Sequence, residues 1–171
     1  MEHDVGGARL PRNPNDLWNG FVKAFADELQ RTQEADATVL TRHWLSQTAR
    51  TTLYTDRILK QVAIHLGMDI VPERFKVDFA MGLKQGGTLV PLVFVESENQ
   101  AKGADWEISK LCSLRAPLRV LICCTEWSET PGYWPRGGRR TELVKWWSEI
   151  IQAHNRHLPD HGRIGLIVGE S

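Results

Sequence analysis

The chain has few cysteines, no net charge and no long apolar run, and each shortage closes off a class of function. Three cysteines, Cys112, Cys123 and Cys124, occur among 171 residues. An odd count, with two adjacent in an apolar run, does not make a disulfide framework, so a reducing cytoplasm is the expected setting. Lys plus Arg equals Asp plus Glu, at 21 each. A neutral chain exerts no overall pull on a polyanion, so any contact with nucleic acid must come from a local basic patch. No segment approaches the roughly 18 apolar residues of a membrane helix. The opening Met1-Glu2-His3-Asp4 lacks an apolar signal-peptide core, and no membrane partner is expected. Walker loops, dinucleotide-binding glycine patterns and nucleophile elbows are also missing.

What is present suits one soluble domain: 42% apolar and 25% charged residues. Residues 1 to 14, rich in Gly, Pro and Asn, read as a flexible N-terminus, with a single domain over residues 15 to 171. Asp16 is placed to cap a helix to about Arg31, since Leu17, Phe21, Phe25 and Leu29 recur at helical spacing. Asp36 is placed to cap a second stretch with Val39, Leu40, His43, Trp44 and Gln47 on one face. A third, from Thr52 to Leu66, turns Leu53, Ile58, Val62 and Leu66 inward and stops at Gly67. The spacing leaves open whether these two are one bent helix. Further helices are expected over residues 103 to 114 and 141 to 155, and strands over 118 to 124 and 164 to 168. Trp18, Trp44, Trp106 and Trp146 fall on apolar helix faces and read as core.

The chemistry lies in two strands. Residues 75 to 83 alternate, with Phe75, Val77, Phe79, Met81 and Leu83 on one face and Lys76, Asp78, Ala80 and Gly82 on the other. After the turn signal Gln85-Gly86-Gly87-Thr88, residues 89 to 95 are almost wholly apolar, as in a strand buried on both sides. Pro91 belongs near that strand's start or at a bulge. Glu96-Ser97-Glu98 ends the run. Carboxylates at the end of an apolar strand are costly unless a cation or hydrogen bonds receive them. Matching apolar faces pairs Phe79 with Val95 and Met81 with Val93, which sets Asp78 opposite Glu96. A two-residue Gly86-Gly87 turn alone would set Asp78 across from Val95, so an odd-length loop or a bulge is required. Asp78, Glu96 and the Ser97 carbonyl then offer hard oxygen ligands for Mg²⁺ or Mn²⁺, with Glu98 placed to accept or steer a proton from an attacking water.

This stretch resembles the PD-(D/E)xK nuclease superfamily over about residues 50 to 125. The family pattern is an Asp on one strand, Glu-x-Lys or Asp-x-Lys on the next, then a helix and a further strand. Asp78, Glu96-Ser97-Glu98, the 103 to 114 helix and the 117 to 124 strand follow that order. The resemblance implies a restriction-endonuclease-like α/β fold, a mixed sheet flanked by helices on both faces, and metal-dependent cleavage of DNA. The departure is Glu98 in the lysine's place, a Glu-x-Glu variant. Lys110, one helical turn after Glu107, is the first candidate for the missing charge, and Lys76 the second. A plain surface ion pair is the rival reading of Glu107 and Lys110.

Arg50, Arg57 and Lys60 form a basic stretch suited to a DNA backbone. Arg136, Arg139 and Arg140, in Tyr133-Trp134-Pro135-Arg136-Gly137-Gly138-Arg139-Arg140, mix charge with aromatics that can stack on bases. Both also read as a solvated helix face and an ordinary long loop. His154, His157, His161 and Asp160 lack a second well-spaced ligand pair and read as a solvated helix end rather than a zinc site. The reading is a Mg²⁺-dependent endonuclease acting on DNA, with a homodimer as one route to double-strand cleavage. Its rivals are a catalytically inactive nuclease-fold module that binds nucleic acid or protein, and a metal-free interaction domain using the Trp-rich 141 to 151 helix.

Overall fold

The computed structural model describes residues 13–44, 46–99, 103–124, 140–159 and 162–169. The expected flexible N-terminus lies almost wholly outside them. Helix α1, Pro14–Ala35, begins earlier than expected. Asn13, not Asp16, caps it, its side chain accepting from the Asn15 N–H at 2.8 Å, and Pro14 suits the first helical position because its missing N–H is not needed there. Asp36 then organises the next start, its carboxylate accepting from the N–H and hydroxyl of Thr38 ahead of α2, Val39–Trp44.

Ser46 caps α3, Gln47–Thr52, by accepting from the Ala49 N–H. The helix continues through a π-helical turn, Leu53–Ile58, into α4, Leu59–His65. The second and third helical stretches are therefore separate, and the third is one rod with a wide turn inside it. Leu53 and Ile58 are both buried and five residues apart, the repeat of a π-turn. Gly67 ends the rod with φ +66°, and the Met68 N–H donates back to the Ala63 carbonyl.

Five strands follow: β1 Asp69–Pro72, β2 Phe79–Gln85, β3 Thr88–Glu98, β4 Leu118–Cys124 and β5 Arg163–Gly169. They lie in chain order in one mixed sheet, antiparallel from β1 to β3 and parallel from β3 to β5. Helices α5, Ala104–Ser113, and α6, Arg140–His157, supply the two parallel crossovers. Successive crossovers advancing in one direction, kept to one hand, place both helices on the same face. Helices α1 to α4 cover the other face, packing Leu17, Phe21, Ile58 and Val62 against Met81, Val93, Val95 and Val120. The α5 and α6 side packs Ile108, Leu111 and Trp147 against Ala80, Phe94 and Leu121.

The hairpin register is the expected one: Phe79 pairs with Val95 and Met81 with Val93. The turn has two residues, with Gly86 and Gly87 at φ +56° and +79°. Its parity is corrected by a bulge, because Gly82 pairs with Pro91 and leaves Leu92 as the extra residue. A Cβ on Gly82 would sit 2.0 Å from the Val90 carbonyl oxygen, so the bulge closes over a glycine.

Three expectations need correction. Strand β1 was not foreseen, since four residues carry too little periodicity to stand out. Strand β2 starts at Phe79 rather than Phe75. The chain between β1 and β2 is a turn with Glu73, Phe75 and Lys76 at φ +49°, +61° and +61°, and Phe75 packs edge-on to Phe94 instead of joining the alternating face. Trp106 is 78% exposed, because it lies about 200° around the helix from the buried Ile108. Trp146 is 43% exposed, whereas its neighbour Trp147 is fully buried.

Candidate active site

The carboxylates meet at the end of β3. Asp78 stands one residue before the first ladder pair of β2, across from Glu96. Its Oδ2 accepts the Ser97 backbone N–H at 2.8 Å. Along a strand a residue's N–H and C=O point to the same side, so the Ser97 carbonyl also faces the Asp78 side. The Ser97 hydroxyl is buried without a hydrogen-bond partner.

Glu96 shares its face of the sheet with Phe94, beneath α5, and is 3% exposed. Two strand residues span ~6.6 Å and four helical residues ~6 Å. Counting back from where Gly103 abuts Glu98 therefore brings Glu107 over Glu96. Lys110, one turn further, places Nζ 2.6 Å from Glu96 Oε1 and 2.5 Å from Glu107 Oε2. Both oxygens are buried beside the ammonium, which meets them through hydrogen bonding as well as charge. Lys110 thus sets a cation from α5 against the carboxylate on β3.

Burial pushes the Glu96 carboxyl up to about 8, against the opposing pull of the Lys110 ammonium, with the charges of Asp78 and Glu107 adding to the rise. Burial works against the Lys110 ammonium, but Glu107 and Glu96 outweigh it and hold its pKa above the usual lysine range. Lys110 faces two carboxylates, and the nearby charge of Asp78 acts on Glu96 as well, so the cluster is short of positive charge when all are ionised.

Glu98 lies two residues further along β3, on the same face as Glu96. Its Oε2 is 3.6 Å from the position of a Cβ on Gly103, the residue before α5, where a carboxylate is favoured by the helix dipole. Among the described residues no three His, Cys, Asp or Glu side chains converge as a metal cage. Asp78 and Glu96 with the Ser97 carbonyl remain, and one or two carboxylates plus waters are the usual Mg²⁺ set. Glu96 Oε1 and Glu107 Oε2 already face the Lys110 ammonium, so the fit to a hard cation rests on Asp78, the Ser97 carbonyl and the second Glu96 oxygen.

The basic residues divide. Arg50 is 5% exposed and donates through Nε to Asn99 Oδ1 at 3.2 Å, while Asn99 donates to the Thr51 hydroxyl. Burial removes Arg50 from any surface a DNA backbone would touch and ties α3 to the end of β3. Arg57 is exposed, and Lys60, also exposed, lies 3.6 Å from Asp56. Arg136, Arg139, Asp160 and His161 lie outside the described residues, and Arg140 is described only by its backbone at the start of α6.

Sequence reasoning passed over Arg119, which is 1% exposed. Its guanidinium donates to the Leu111 and Leu114 carbonyls at the end of α5, and burial pulls its pKa down. A charged residue inside Leu118-Arg119-Val120-Leu121 was the available signal. Also unforeseen is a cleft of about 350 Å³ between the π-helical turn and the β1–β2 edge, with Asp78 in its wall. Comparison of the chain with protein-family models, curated proteins and solved structures found no match.

Proposed function

We propose that the chain is a metal-dependent nuclease of the PD-(D/E)xK type, hydrolysing DNA phosphodiester bonds at the Asp78–Glu96 corner. The supporting observation is the reach of Lys110 from α5 to Glu96, 2.6 Å away, which supplies the acidic pair with the cation that Glu98 displaces from the strand. Asp78, Glu96 and the Ser97 carbonyl hold the Mg²⁺ or Mn²⁺. When bound, such an ion increases the acidity of a water and offsets charge on the phosphoryl oxygens. Lys110 keeps a fixed positive charge beside the reacting phosphate, and Glu107 keeps Lys110 protonated and in place. Glu98 accepts a proton from the attacking water. Arg57 and Lys60 hold the DNA backbone. The order of helices, hairpin, helix and strand is consistent with a restriction-endonuclease-like fold.

The test is nicking of supercoiled plasmid with Mg²⁺ and with EDTA. Asp78→Ala and Glu96→Ala abolish Mg²⁺-dependent nicking with the circular dichroism spectrum intact, and Lys110→Ala reduces it by ~10²–10³-fold, as for loss of one charge-stabilising donor. Undiminished cleavage by either acidic variant refutes the assignment. A second reading, an inactive binding module on the same scaffold, is favoured by Lys110 already neutralising Glu96. It requires no nicking by the wild type and little loss of Mg²⁺ affinity on mutating Glu98, whereas no heat on titration with Mg²⁺ or Mn²⁺ favours the metal-free interaction domain.

A further inference from the structure

Two independent features coincide beside Asp78. One is the cleft, and the other is the π-helical turn that forms part of its wall. A six-residue π-helical run in an otherwise α-helical rod is rare, and such turns are found at functional sites more often than elsewhere. Here it lies where Thr55 and Asp56 border the cleft, opposite the apolar wall made by Ile70, Pro72 and Phe79. The charges around it are Asp56, Glu73 and Asp78 against Lys60 alone, and Lys60 is drawn toward Asp56. A phosphate entering this space meets more negative than positive charge. Glu73 is fixed at its edge by a left-handed backbone, φ +49°, its N–H donating to the Asp78 carbonyl.

We infer that this cleft receives one unstacked nucleobase, adenine or cytosine, whose exocyclic amino group stands where guanine and thymine carry a carbonyl oxygen, from a single-stranded stretch of the nucleic acid whose cleavage was proposed above. The apolar wall takes the flat face of the base. The carboxylate at the rim accepts from the amino group, as Asp and Glu do from cytosine. Thymine presents carbonyl oxygens at the same place and meets repulsion. Because Asp78 belongs to both the cleft and the acidic corner, the phosphate next to the captured base is the one delivered for hydrolysis. Lys60, at the exposed side, receives the phosphate beyond it.

The experiment is fluorescence anisotropy with labelled dA, dC and dT oligomers of equal length and a duplex of the same length, in Ca²⁺ and in EDTA, so that binding is read without turnover. Wild-type protein binds dA and dC oligomers ~10-fold more tightly than dT or duplex, within the worth of one good base contact. Thr55→Phe, which fills the cleft, removes that preference. Glu73→Lys, a surface change that leaves the core untouched, lowers or inverts it and serves if Thr55→Phe fails to fold. Equal affinity for dA and dT, or a preference unchanged by Glu73→Lys, overturns the inference. Plasmid nicking reads the metal site separately. A base preference without nicking keeps this inference and removes the nuclease reading; nicking without base preference does the reverse.

Discussion

The two faces of the sheet are built from different materials. On the face under α1 to α4 the sheet itself presents only apolar side chains, the buried charges Glu28 and Arg50 being on the helices, and Trp18, Phe21, Phe25 and Tyr54 stack in a row at ring-centroid distances of 5.8 to 6.4 Å. The face under α5 and α6 is apolar too, but it also contains Glu96 and Arg119, two charged groups almost wholly removed from water. Burial of hydrocarbon is non-directional and stabilises any packed arrangement. Burial of a charge is tolerated only where a specific partner stands at a specific distance. The first face therefore supplies stability, and the second supplies a fixed geometry, with α5 held at one point by Lys110 on Glu96 and at another by Arg119 on its terminal carbonyls.

The sharpest way to break this comparison is on the apolar face. Phe21→Ala leaves a hole at a fully buried ring and costs about 3–5 kcal/mol in urea unfolding, while the pH dependence governed by Glu96 is unchanged. A loss below ~1 kcal/mol would show that the aromatic row is not a load-carrying core. On the charged face, Arg119→Met keeps the bulk but leaves the Leu111 and Leu114 carbonyls without their donor, at a cost of about 1–3 kcal/mol. Amide exchange in the last turn of α5 speeds up with it. An unchanged exchange rate there would separate Arg119 from the anchoring of the helix.

The smallest effect is a slope. Glu96 ionises near 4.5 in the unfolded chain and near 8 in the folded one. Between those values the folded state binds the extra proton, so stability falls as pH rises. The Glu96 contribution is fully present below about 4.5 and is lost as pH climbs through about 8. Glu96→Gln flattens that part of the thermal-stability profile, and a slope that survives the change assigns it to another group. Under the metal reading, Mg²⁺ titrated below pH 8 also expels a proton, which calorimetry in two buffers of different ionisation enthalpy detects.

Much of the fold was legible because it follows from periodicity. Phe79 against Val95 and Met81 against Val93 keeps both apolar sets on the core side, and with the turn at Gly86-Gly87 that parity requires a one-residue correction, so the register and the need for a bulge were set by residue type and turn position. The reach of Lys110 was legible for the same kind of reason, since it lies one turn from Glu107 on a helix that must pack back over the strand. The turn between β1 and β2 was not legible. Phe75 and Val77 continue the alternation of Phe79 and Met81 in sequence, and only the left-handed backbone at Phe75 and Lys76 breaks it in space. The π-turn left a faint trace in the five-residue step from Leu53 to Ile58, which the sequence reading took as ordinary helix. Arg50 read as surface charge because its partner, Asn99, is 49 residues away.

By itself the sequence determined the order of the helices and of four of the five described strands, most of the faces they bury and the pairing of the hairpin, because burying apolar side chains at periods of two and 3.6 admits few alternatives. Tertiary structure alone decided the state of the charged groups: that Glu96 lies under α5 with its carboxyl near pKa 8, that Arg50 and Arg119 face inward, and that a cleft opens beside Asp78. The energy of a charge depends on how much water and which opposite charge lie within a few ångströms, and those neighbours come from distant parts of the chain.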